Sequence, residues 1–157
     1  DDDPRVYQAI GDLTRTFPAQ EKIFRNRSIL DFETSDIAKI SVTTTGVTSE
    51  LIRDVLPTSA ASPTWHNAKG EAVDSEKVQH ALDRLARMQA SRFVETIPVG
   101  TPLVEFHFRG RSQLHRLTIY EKTDNSHVAS SSDVPGPFIL LPTSLDRVFM
   151  SLNVEIQ

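Results

Sequence analysis

The chain contains no cysteine in 157 residues, which removes disulfides, thiolate metal sites and cysteine nucleophiles together. That leaves the compartment open, because a cysteine-free protein suits a reducing or an oxidising one. No apolar run approaches the ~20 residues that span a bilayer, and the first three residues are all aspartate, where a secretory leader would carry a basic region. Glycine is scarce, with six residues, and none frames a serine as Gly-x-Ser-x-Gly or builds a phosphate-binding Gly-x-Gly-x-x-Gly or Gly-x-x-x-x-Gly-Lys loop. A strong charge of either sign is missing too. Seventeen Lys and Arg face 21 Asp and Glu, so nucleic acid, which calls for a clustered positive excess, is not an expected partner.

The five histidines, His66, His80, His107, His115 and His127, include no His-x-x-x-His spacing that would aim two imidazoles from one helical face at zinc. Neither a metal site nor a cofactor is expected, and catalytic residues are expected to be none. A hydrolase with a site assembled from distant residues is the remaining enzymatic alternative.

Length predicts a single domain over residues 1–157. Near the start, Val6-Tyr7 reads as a short strand and Ile10, Leu13 and Phe17 as a helix stripe that Pro18 ends. Ile37, Ile40 and Val42 lead into three threonines, a β-branched run that fits a strand, with Gly46 as its turn and 51–56 returning. Trp65 opens a short strand that turns at Lys69-Gly70. Asp74 is placed to cap a helix over about 75–89, with Val78, Ala81, Leu82, Leu85 and Met88 in one apolar stripe and Asp83 and Arg87 spaced for an ion pair.

Residues 103–108 and 114–120 alternate as a β-hairpin, and parity puts Val104, Phe106 and Phe108 on the same face as His115, Leu117 and Ile119. Ser130 to Pro137 reads as a loop, 138–141 as a strand, and Thr143 or Ser144 as the cap of a last short helix. The expected fold is therefore α+β: an antiparallel sheet with one main amphipathic helix on one face and short helices near the ends. Pro4 to Phe17 also echoes Pro137 to Phe149, the pattern expected of an excerpt from a longer tandem-repeat protein.

The stretch Phe24-Arg25-Asn26-Arg27-Ser28-Ile29-Leu30-Asp31-Phe32, followed by Asp36-Ile37-Ala38-Lys39-Ile40-Ser41-Val42, resembles the bacterial DUF4340 family, a domain of unknown function. Trp65, the Asp74-initiated helix and Ala90 to Val94 follow in the same order, extending the resemblance over residues 5–149. It implies a periplasmic or otherwise extracytoplasmic protein, in some genomes encoded beside ABC-transporter components. It also implies membrane association through an N-terminal anchor, a segment this chain does not contain. It supplies no catalytic residues.

Twelve of the seventeen basic residues are arginine, whose planar fork suits carboxylates and phosphates. Arg84 and Arg87 at the helix end, and Arg109, Arg111 and Arg116 on the hairpin, are the candidate binding residues. Arg25 and Arg27 are expected to hold the irregular motif by bonding nearby carbonyls, or to meet a partner. The leading functional expectation is a non-enzymatic protein-binding domain whose partners are other envelope proteins. The alternative is an arginine-lined module for an anionic lipid headgroup or glycan. Strand edges at 51–53 and 138–141 offer a further binding route.

Overall fold

The structure, a computed structural model, describes residues 26–54, 63–123 and 126–154. The early strand and helix expected before Pro18, the first half of the internal echo, and Arg25 lie outside the described residues. Nine strands form one antiparallel sheet: β1 (Lys39–Thr44), β2 (Val47–Arg53), β3 (Trp65–Asn67), β4 (Ala72–Val73), β5 (Arg92–Phe93), β6 (Val104–Arg109), β7 (Leu114–Thr123), β8 (Ser126–Ser131) and β9 (Phe138–Leu140). Their order across the sheet is β4-β3-β2-β1-β6-β7-β8-β9-β5. Among the described residues two helices accompany it, α1 (Ser75–Ala86) and α2 (Pro142–Leu152), with a 3-10 turn at Thr34–Asp36.

Turn chemistry fixes the first hairpin. Thr44 pairs with Val47, leaving a two-residue loop in which Thr45 (φ 44°) and Gly46 (φ 83°) both take positive φ. That is the type I′ geometry whose twist matches two antiparallel strands, and Thr45 adopts it against the preference of a β-branched side chain. The second hairpin closes over four residues, since Arg109 pairs with Leu114 and Gly110 N–H donates to Gln113 O at 2.9 Å.

Register then sorts the side chains by parity. Phe106 lies opposite Val42 and Leu117, Phe108 opposite Ile40 and His115, and Val104 opposite Ile119, all on one face and all buried. The expected sharing of a face by these hairpin residues is what the pairing shows. Phe149 of α2 stacks on Phe106 at 6.1 Å and 10°, so this is the face that α2 covers. Val78, Ala81, Leu82 and Leu85 of α1 join the same core with Trp65, Leu145 and Val148. The opposite face carries Lys39, Ser41 and Thr43 beside Arg109, His107 and Glu105.

Asp74 caps α1 as its spacing predicts, its Oδ1 accepting from Lys77 N–H at 3.3 Å. The helix stops at Ala86, however, three residues short of the expected end. Ile29 N–H donates to Met88 O and Ala90 N–H to Arg27 O, so the chain leaves the helix to pair with residues 27–29. Asp83 takes a hydrogen bond from Gln79 Nε2 at 3.1 Å, and no ion pair joins it to Arg87 among the described residues.

Three other expectations are corrected. Thr143 and Ser144 do not cap α2, which begins earlier on Leu141 with Pro142 in its first turn, where a missing N–H costs nothing. Ser130 and Ser131 belong to strand β8, because they pair with Thr118 and Leu117 of β7, and tertiary pairing overrides the weak strand preference of serine. The proposed open edges at 51–53 and 138–141 are interior: β2 lies between β3 and β1, and β9 between β8 and β5.

Candidate functional site

The arginines singled out in the sequence divide among separate places. Arg84 and Arg87 lie on the solvent side of α1, at positions that with His80 run i, i+4, i+7 down one stripe. Together with Asp83, Gln89 and Ser144 they line a hollow of about 650 Å³. No ion pair engages Arg84 or Arg87 among the described residues, so the hollow presents three basic side chains against one acid. His80, four residues before Arg84, is the member that sequence reasoning missed, although the spacing signalled it.

Arg109 and Arg116 fall on the sheet's outer face. Arg109 is directly opposite Lys39, and Arg116 opposite His107, which is itself opposite Ser41. Rows therefore cross the central strands: Glu50, Ser41, His107, Arg116 in one and Ile52, Lys39, Arg109, Leu114 in the next. Lys39 Nζ bonds Glu50 Oε1 at 2.7 Å, and His107 Nε2 lies 4.0 Å from Glu105 Oε2, while no carboxylate pairs with Arg109 or Arg116 among the described residues. Lys39, Glu50, His107 and Glu105 keep about a third of their side-chain surface in solvent. Nearer β9, Val128 and Ile139 on the same face are buried.

Arg111 sits at the tip of the second hairpin, its Nε 3.9 Å from Asp36 Oδ1. Arg27 reaches Ala90 through its backbone carbonyl, and its side chain is exposed; the other arginine of the expected pair, Arg25, lies outside the described residues. Asn26 contributes there, its Oδ1 accepting from Ser28 N–H at 3.0 Å.

An arrangement with no counterpart in the sequence reading lies on the inner face. His115 Nδ1 and Asp133 Oδ2 are 2.7 Å apart, with side chains 7% and 12% exposed. The same Asp133 oxygen accepts Asp31 N–H at 2.7 Å, and the other carboxylate oxygen accepts from Ser132 Oγ at 2.6 Å. Phe32 packs on His115 at 5.5 Å and on Phe108 at 5.3 Å. His115 also lines a hollow of about 210 Å³ between the hairpin tip and residues 31–37. No hydroxyl is bonded to its Nε2 among the described residues, so the pair stands without an attached nucleophile. No group of three or more metal-ligating side chains occurs among the described residues.

The sequence profile of the domain of unknown function DUF4340 matches residues 1–103. The chain belongs to that family. The DUF4340 match takes in β1 to β5 and α1, with Arg84 and Arg87, and ends one residue before β6, short of the 5–149 span of the expected resemblance. Arg109, Arg111, Arg116 and the His115–Asp133 pair therefore lie beyond it. No curated protein and no solved structure matches the chain. Among the described residues, no helix of this DUF4340 chain is long and apolar enough to cross a membrane.

Proposed function

We propose that this DUF4340 chain is a non-enzymatic, extracytoplasmic interaction domain, α+β in build with α1 as the main amphipathic helix laid across one sheet face. It works within an envelope assembly associated with an ABC transporter. One observation carries the reading: strands β2, β1, β6 and β7 present rows of partly exposed charged side chains on the outer sheet face, with Arg109 and Arg116 left without acidic partners among the described residues. A partner protein that sets carboxylates opposite these arginines and Lys39 meets complementary charge, which favours encounter and fixes register. A photocrosslinker at position 107, used in the native cell, is expected to capture membrane or periplasmic proteins. Capture of cytosolic proteins alone contradicts the proposal.

The α1 hollow favours a second reading, an anion-binding module for a lipid headgroup or glycan. Arg84 and Arg87, without ion-pair partners among the described residues, can bind a phosphate or carboxylate through paired N–H donors beside His80. Replacing both arginines by alanine should abolish retention on vesicles containing phosphatidylglycerol, and the retention lost should be the salt-sensitive part. Undiminished retention removes this reading.

A further inference from the structure

Residues 87–90, Arg-Met-Gln-Ala, are all strong helix formers, and Met88 continues the apolar stripe of α1, yet the helix has ended at Ala86. Conflict of this kind between local preference and fold is concentrated at functional sites. What opposes the helix is a strap, residues 27–31. Ser28 faces Gln89 in an antiparallel bridge, Ile29 N–H donates to Met88 O at 3.2 Å, and Ala90 N–H donates to Arg27 O at 2.8 Å. Ile29 and Leu30 are buried in the core, and the far end of the strap is tied by Asp31 N–H to Asp133 Oδ2 at 2.7 Å.

We propose that residues 87–90 are a switch: they pair with the docked strap, and once it lifts they add a turn to α1, a change that gates the α1 hollow. The exchange of bonds balances, since Ala90 N–H gives up Arg27 O for Ala86 O while Gln89 N–H gains Leu85 O. Each residue from 88 to 90 drawn into the helix shortens the chain by about 1.8 Å, about 5 Å in all. Strand β5 has to give that length. It is a two-residue edge strand, held to β9 through Ser91 N–H to Ile139 O and Val94 N–H to Pro137 O, and such an edge opens at little cost. Gln89 now lines the hollow beside Arg87; in the longer helix it stands about 200° round the axis from Arg87 and leaves that wall. The gating rests on the anion reading of the hollow, whereas the switch does not.

The test is NMR on the whole chain with the strap untied in two ways. Asp133→Ala removes the acceptor, and Asp31→Pro removes the donor at an exposed position. In either variant the Cα chemical shifts of residues 88–90 are expected to move to helical values, and the amides of Ile29, Ser91 and Val94 to exchange with solvent about tenfold faster or more. Gln89→Pro, added to each, forbids the extra turn but takes none of the strap's bonds, which run through Met88 O and Ala90 N–H. It should keep Ala90 at its wild-type shift and restore protection at Ser91 and Val94. Retention on phosphatidylglycerol vesicles should fall several-fold in Asp133→Ala and recover when Gln89→Pro is added. Faster exchange at Ile29 while the shifts of residues 88–90 hold, or while Ser91 and Val94 stay protected, overturns the switch. Retention unchanged by Asp133→Ala while the shifts turn helical overturns the gating. The NMR arm needs no ligand, so failure of the anion reading is told apart from failure of the switch.

Discussion

The two faces of strands β1, β6 and β7 are built from alternate residues of the same three segments, yet they do different work. On the inner face Ile40, Val42, Phe106, Phe108, Leu117 and Ile119 are buried against the helices, and an ionisable pair, His115 with Asp133, meets there at 2.7 Å. On the outer face, in a half-wet setting, Lys39 meets Glu50 at 2.7 Å and His107 lies 4.0 Å from Glu105, while Arg109 and Arg116 have no carboxylate partner among the described residues. The lesson is that charge near water is cheap to leave unpaired, while charge in the core must be held from several sides.

Substitutions on either face test how far that division goes. Phe106→Ala removes a fully buried ring that stacks on Phe108 and Phe149 and should lower the unfolding free energy by about 3–5 kcal/mol in urea titration. Asp133→Ala leaves the His115 imidazole and Asp31 N–H without their acceptor and should cost about 2–3 kcal/mol by the same assay, although no apolar contact is deleted. A loss under half a kilocalorie would place this pair with surface ion pairs instead. Thr45→Gly relieves a β-branched residue at φ 44° in the turn that aligns both faces, and calorimetry should show a gain of up to about 1 kcal/mol. Joint replacement of Arg109 and Arg116 by alanine should change stability by no more than about 0.5 kcal/mol, since their roles face outward.

How much of this was legible in the sequence follows from which forces are local. The alternation of residues 104–108 and 115–119 predicts the shared face, because a period of two is written into the chain itself, whereas the register itself comes from the four-residue closure of the hairpin. The α1 stripe and the Asp74 cap are local in the same sense. Strand β8 was hidden because its stability comes from neighbours on both edges, and three serines announce a loop when read alone. Premature helix ending at Ala86 was hidden likewise, since the competing bonds come from residues 27–29.

The same reasoning sorts the candidate sites. Arginine enrichment pointed to Arg84 and Arg87, and the structure joins those two with His80 around one hollow, while it sends Arg109 and Arg116 to the outer face and Arg111 to the hairpin tip. The His115–Asp133 pair gave no signal: the partners are 18 positions apart, and the backbone that buttresses them comes from Asp31, 102 positions from Asp133. A histidine placed by parity on an otherwise apolar strand face was the one available hint. Its position among Phe108, Leu117 and Ile119 demands a buried partner, but sequence alone does not name it.

The most direct trial of the account compares photocrosslinkers at His107 and at Thr101, placed in the native cell with Arg109 and Arg116 either intact or both changed to glutamate. The account predicts a discrete envelope protein captured from position 107, absent at 101, and lost on charge reversal while the fold's melting temperature holds. Equal capture from both positions, or capture unaffected by the reversal, would contradict it.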